Sequence, residues 1–413
     1  MMRRRVFLMI LLVCTACLVY ANKEYRQIRT YIKKGGNAQQ IMKIVQQCEK
    51  DEDTKDDPEL YFLAAQVQRK INDGENLKLY TKQNYDTATF FSSIKSMFDY
   101  CILCDKKDMM PDANGKVKIS YRTKSYYMLK SYYPNLYNAG LFYIKKKDYK
   151  NAEPYFDMFI NVRNTPVFAK DKKEEYDSKM PRAAFWSMTS CYALQDYKGV
   201  FKFDSLAARD SANMDLYLQY RSLAYAGLKD SVKYEKELWK GLHRIPTDYF
   251  FFTHLTDYYN MEKQYAKALT LSDSMIKIYP KQPIFMFAKS AVLYNMKDYD
   301  NCIQAAKQVV AVDTVNAEAY YYIGSSYFIK ATDIDDNASP NINSSAYKKQ
   351  KKEANDLFAA ALPYLERYRK LAPKETNRWA PLLYRTYLSL NKAKEFAEIE
   401  KVLSQTDAEK TKK

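Results

Sequence analysis

One spacing constrains this chain more than any other feature. Through its C-terminal half, large and small residues recur at a step of 34. Phe252, Leu255, Thr256, Tyr259, Tyr265, Ala268, Ser272, Met275 and Pro280 are followed, slot by slot, by Met286, Lys289, Ser290, Leu293, Tyr299, Cys302, Ala306, Val309 and Thr314. Tyr320, Ile323, Gly324 and Tyr327 open a third unit at the same step. The first four slots of a unit fall three and four residues apart, and so do the next four. Each unit therefore reads as two helices, each with one apolar face. Pro280 ends a helix, because proline lacks an N–H and clashes with the preceding turn. One such pair cannot bury its stripe alone, whereas stacked pairs bury a continuous core.

The pattern extends toward the N-terminus. Leu136, Ala139, Gly140, Tyr143, Tyr149, Ala152, Phe156 and Phe159 form a further unit. Units opening at Pro181 and Asp215 carry Cys191, Tyr197 and Val200, then Leu218, Ser222, Tyr225 and Leu238. A first pair is expected over residues 22–49, broken at Gly35-Gly36, and a second opens at Glu59 behind Pro58. The closing slot moves 48 residues from Asn164 to Ala212, which is 34 plus 14 and locates an insertion at 165–180. From Tyr327 the next closing proline, Pro373, comes 25 residues late, so 332–352 is a second insertion, a surface loop or an elongated second helix. Residues 105–133 also leave the repeat, with a loop over 109–115 and a short extra helix over 124–132. Asp112-x-Asn114-Gly115 reads as a turn, because it lacks the spaced carboxylates and closing Glu of a calcium loop. Trp379, Leu382, Leu383 and Thr386 open the last pair, 395–403 caps it, and 404–413 is a polar tail expected to be disordered. Arg221 and Lys289 fit their apolar slots badly. Either those helices shift by one residue or the long stems snorkel.

The order large-x2-aliphatic-small-x2-large, then small-x3-large, then Pro, resembles the tetratricopeptide repeat. The resemblance covers nearly all of 22–403 and implies an all-α, right-handed α-solenoid of about eight or nine helical pairs. It also implies a groove lined by the first helix of each pair. Carrying the family's groove slots onto this chain gives Tyr137, Leu141, Asn260, Phe287, Tyr294, Tyr321 and Phe328 as candidate contacts. The Lys/Asn/Arg clamp with which some members hold a C-terminal carboxylate is absent. A peptide, extended or helical, held by apolar anchors is the expected partner. The competing reading has these aromatics simply pack against the next repeat.

Catalytic and cofactor motifs are missing. There is no Gly-x-Ser-x-Gly, phosphate-binding glycine loop or His-Glu-x-x-His. Cys101-Ile-Leu-Cys104 falls near a helix end rather than at a helix start after a strand, which is where a redox pair gains its low thiol pKa. Packing or a local disulfide is the expected role. Cys191 and Cys302 occupy core slots. With two histidines, His243 and His254, a zinc site lacks ligands. No enzyme activity, metal or cofactor is expected.

Residues 1–21 read as a secretory signal: Arg3, Arg4 and Arg5, an apolar stretch, then Val19-Tyr20-Ala21 before the cut. A lipoprotein cut before Cys17 is the alternative. Losing the three arginines takes the net charge from +17 to +14. Export argues against nucleic acid as the partner, and the lysine runs fall at turns and insertions. The main functional expectation is a non-catalytic envelope scaffold for a protein or peptide. An envelope nutrient-binding repeat protein that stacks sugars on tryptophan ranks lower, since only 3 Trp occur and Trp379 sits in a packing slot.

Overall fold

The computed structural model describes residues 23–112, 114–171 and 178–410, with side chains described to Ser404. The signal expected at 1–21 lies outside them. The described residues contain helices and no strand, and they divide into two compact units at Glu237 and Leu238. The first unit holds α1 (23–34), α2 (Ala38–Cys48), α3 (Pro58–Tyr80), α4 (Thr87–Asp108), α5 (Arg122–Lys145), α6 (Tyr149–Asn161), α7 (Met180–Ala193), α8 (Asp204–Ala207) and α9 (Met214–Gly227). Helix α10 (Ser231–Arg244) spans the division. The second unit continues with α11 (Tyr249–Met261), α12 (Tyr265–Ile278), α13 (Pro283–Asn295), α14 (Tyr299–Val312), α15 (Ala317–Asp336), α16 (Ser345–Leu371), α17 (Thr376–Ser389) and α18 (Ala393–Lys410). Read in chain order, the eighteen described helices make nine successive pairs.

The turn inside a pair repeats as faithfully as the core slots. Gln195, Lys229, Lys263 and Lys297 lie 34 apart, and each sits in the left-handed region with φ between 55° and 63°. Lys147 does the same 48 residues before Gln195, one step plus the insertion. In each case the next residue's N–H reaches back to the first helix. Gln264 N–H donates to Tyr259 O at 2.7 Å, and Asp298 N–H to Leu293 O at 2.9 Å. This 6→1 bond is the Schellman closure of a helix C-terminus, with lysine or glutamine where glycine is usual.

The small slots let paired helices close. A Cβ on Gly140 would lie 2.6 Å from Phe156 Cζ, and one on Gly324 would lie 2.7 Å from Leu365 Cδ2. Thr256 and Ser290 are buried and return their hydroxyls to Phe252 O and Phe287 O. The two ill-fitting slots keep their register. Arg221 is held by the carboxylates of Asp204 and Glu237 and accommodates Phe201 and Tyr217 at 5.6 Å from its guanidinium carbon. Lys289 sends its ammonium 2.6 Å from Asp273.

The structure departs from the sequence reading in four places. The short helix expected at 124–132 is the start of one 24-residue helix, α5, which continues through Pro134. Two buried carboxylates fix where it begins: Asp108 accepts the N–H groups of Ser120 and Tyr121 at 2.6 and 2.7 Å, and Asp105 accepts from Arg122 Nε at 2.6 Å. The 332–352 insertion lengthens both α15 and α16, to 20 and 27 residues, leaving a short loop at 337–344. The second helix of the fourth pair is broken into a 3₁₀ turn at Gly199–Phe201 and the one-turn α8. The expected tail at 404–413 is helical through Lys410, since no glycine or proline follows Leu403 to stop α18. The turn read at Asp112 forms, with Asn114 N–H donating to Asp112 Oδ1 at 2.8 Å.

Cys101 and Cys104 are buried free thiols, as are the other described cysteines Cys48, Cys191 and Cys302. Cys104 Sγ donates to Pro58 O at 3.2 Å, which ties α4 to the start of α3.

Candidate functional site

In the second unit the first helices α11, α13, α15 and α17 follow one another, each in contact with the next. Side chains one residue past a core slot stand half out of the packing. Tyr294 of α13 and Tyr321 and Tyr322 of α15 meet there: the Tyr294 ring centre lies 6.2 Å from that of Tyr321 and 5.1 Å from that of Tyr322. Burial pushes the Tyr322 hydroxyl up to about 12 and raises that of Tyr294 as well. Arg378 of α17 closes the cluster. Its guanidinium carbon is 4.0 Å from the Tyr321 ring centre, and it donates to both oxygens of Glu318 at 2.6 and 2.8 Å. The hydrogen bonds to Glu318 hold Arg378 firmly in its charged form.

The remaining expected contacts divide between wall and packing. Phe287 and Phe328 are half-buried, against Tyr322 at 5.8 Å and Phe358 at 5.8 Å. Asn260 is half-buried, and its Oδ1 is enclosed without a hydrogen-bond partner. In the first unit Leu141 is half-buried. Tyr137 is 8 % exposed and lies in the core of its pair, between Phe156 and Phe159 and beneath the Lys179 ammonium.

The first unit has an open groove that the sequence reading passed over. It measures about 600 Å³ and lies between α3 and α5, both first helices. Phe62, Gln66 and Arg69 line one side at i, i+4 and i+7, and Lys124, Tyr127 and Ser131 line the other. Tyr127 is 68 % exposed. Lys124 lies 6.0 Å from the Phe62 ring centre, and Phe62 packs on Tyr121 at 5.0 Å. The offsets 62, 66 and 69 are those that select Tyr137, Leu141 and Ile144 in the third pair. The same rule applied to the second pair finds α3's contribution. The α5 contribution was hidden because 105–133 read as an insertion.

The described residues contain no group of three or more His, Cys, Asp or Glu side chains placed to hold a metal ion. Burial pushes the Cys101 and Cys191 thiols up to about 12.

No protein-family profile and no curated protein matches the chain. Among solved structures it is similar to the C-terminal part of a TPR repeat-containing protein from Cytophaga hutchinsonii, with 13 % identity and a TM-score of 0.44 over 64 % of this chain and 93 % of that one. It is also similar to a TPR repeats protein from Bacteroides fragilis, with 16 % identity and a TM-score of 0.31 over 65 % and 98 %. Yeast Tom70 aligns over 95 % and 96 % with 14 % identity and a TM-score of 0.31. The chain's own 34-residue register, with its small slots pressed on the partner helix and its left-handed turns in step, makes the fold a tetratricopeptide-type array of helical pairs.

Proposed function

We propose that this chain is a non-catalytic scaffold that grips a protein or peptide along the side formed by its first helices, in a bacterial cell envelope. The observation that carries the reading is the groove between α3 and α5. It combines three aromatic rings, an amide and two cationic side chains on helices, and its Tyr127, Tyr132 and Arg69 are of the residue types in which binding energy concentrates. The envelope setting is supported by the signal-like pattern of residues 1–21 and its Cys17 alternative.

The test uses a photo-crosslinking side chain at Tyr127 in cells, with the same group at exposed Lys150 of α6 as control. A protein trapped from Tyr127 alone, whose purified form loses about tenfold or more affinity for Arg69→Ala/Tyr127→Ala, supports the reading. Equal labelling from both positions, or an affinity unchanged by the double substitution, removes it. Fractionation of the cells checks the compartment.

A further inference from the structure

A cavity of about 590 Å³ in the second unit is built mainly by second helices, α10 and α12, with Tyr259 of the first helix α11 between them. The C-terminal part of α10 supplies Trp239, Leu242 and His243, and α12 supplies the facing wall. Ala266, Thr270 and Ser274, each four residues on, put small side chains where the two helices would otherwise close. Leu271, Met275 and Ile278 make the floor and mouth, and Ile278 is 63 % exposed. From Ala266 to Ile278 the helix rises about 18 Å at ~1.5 Å per residue, so the cavity is an elongated slot. Its size falls in the range of small-ligand sites.

The slot is pre-formed. Trp239 Nε1 donates to Tyr259 Oη at 2.9 Å, which pins the indole and satisfies its one polar atom, so the ring offers an apolar surface. The lining contains no carboxylate. Apart from tyrosines, its ionisable side chains are His243 and Lys267, both of which carry positive charge when protonated. Lys267 lies in the first turn of α12, its ammonium 5.2 Å from the Tyr259 ring centre. The cavities lined by Arg163, Asp171 and Arg209, or by Asp273, Lys289 and Asp298, carry charges of both signs.

We propose that this slot binds a small amphipathic monoanion of the fatty-acid type. The apolar chain lies along Trp239, Leu271, Met275 and Ile278, and the carboxylate sits at the Lys267 end. The site is independent of the first-helix groove, and either reading can fail without the other.

The experiment titrates the full chain, after signal removal, with dodecanoate and with dodecanol, both below micelle-forming concentrations, by calorimetry. Saturable one-to-one binding of dodecanoate, with dodecanol at least about tenfold weaker, is the expected result. Ser274→Phe, an exposed position whose new ring fills the slot, abolishes binding while leaving the circular dichroism and melting curve unchanged; Thr270→Phe serves if it does not. Lys267→Gln brings dodecanoate down to the level of dodecanol, and Lys267→Arg restores it. No saturable binding overturns the proposal. So does binding that survives both filling variants, or equal affinity for the two ligands with no response to Lys267→Gln. Occupancy by an apolar peptide helix that dodecanoate does not displace also overturns it.

Discussion

The guanidinium of Arg378 lies 4.0 Å from the centre of the Tyr321 ring, and its fork takes both oxygens of Glu318. The last first-helix of the array is thereby fastened to the one before it by stacking and by charge together. Arg378→Ala removes both and should cost about 1–2 kcal/mol, because both partners are partly exposed and solvent screens the pair. Arg378→Lys keeps the charge, loses the planar fork, and should recover less than half of that. Urea denaturation followed by far-ultraviolet circular dichroism reads both.

The small slots predict a sharp contrast among glycines. Gly140→Ala and Gly324→Ala place a methyl inside contact distance of Phe156 and Leu365, and each should destabilise by about 1–3 kcal/mol. Gly74, within α3, has open space where a Cβ would go. Gly74→Ala should stabilise by up to about 1 kcal/mol, since alanine suits a helix interior better. A loss at Gly74 of the size seen at Gly140 would contradict the packing described.

At Lys263 and Lys297 an L-residue occupies a conformation that glycine adopts without steric cost. Lys263→Gly and Lys297→Gly should each raise stability by about 0.5–1 kcal/mol, and the double variant should gain the sum. Melting temperatures of the four proteins check this.

Burial holds the thiols protonated: Cys101 and Cys191 up to about 12, Cys48 and Cys302 up to about 11. At pH 8 the native chain should react with N-ethylmaleimide at least about a hundredfold more slowly than the chain in guanidinium, because the thiolate is the nucleophile. Mass spectrometry of the five described cysteines gives the rates.

His254 is pushed below its ordinary 6.5, first by burial, with Asp257 opposing. A depressed imidazole means that the unfolded chain takes the proton first. Its contribution to stability is complete above pH 6.5 and is lost as pH falls through the window between 6.5 and the lower folded value. His254→Phe should flatten the slope of unfolding free energy against pH in that window.

Much of this architecture was legible because packing leaves a period in the letters. Phe252, Leu255 and Thr256 announce a helix face, and Gly324 announces a close approach before any coordinate is known. The left-handed turns were not legible, because Lys263 and Lys297 are ordinary surface residues by type and only the backbone reveals their role. The start of α5 was missed because it depends on Asp105 and Asp108, carboxylates that read as solvent-facing until their burial is seen. The groove was half legible: the offsets that chose Leu141 also choose Gln66, whereas Tyr127 lay in a stretch with no register. Tyr137 illustrates the opposite error, a groove slot by count whose ring packs on Phe156 and Phe159 of α6 beneath Lys179.

The long hairpin of α15 and α16 replaces the tight intra-pair turn of α13 and α14 with an open loop at 337–344. Its tip, around Asn341, is exposed and far along two helices from the pair's packed base. The polypeptide can be cut and rejoined there: new termini, a fused reporter or a protease site belong at that tip, where a graft disturbs no buried backbone.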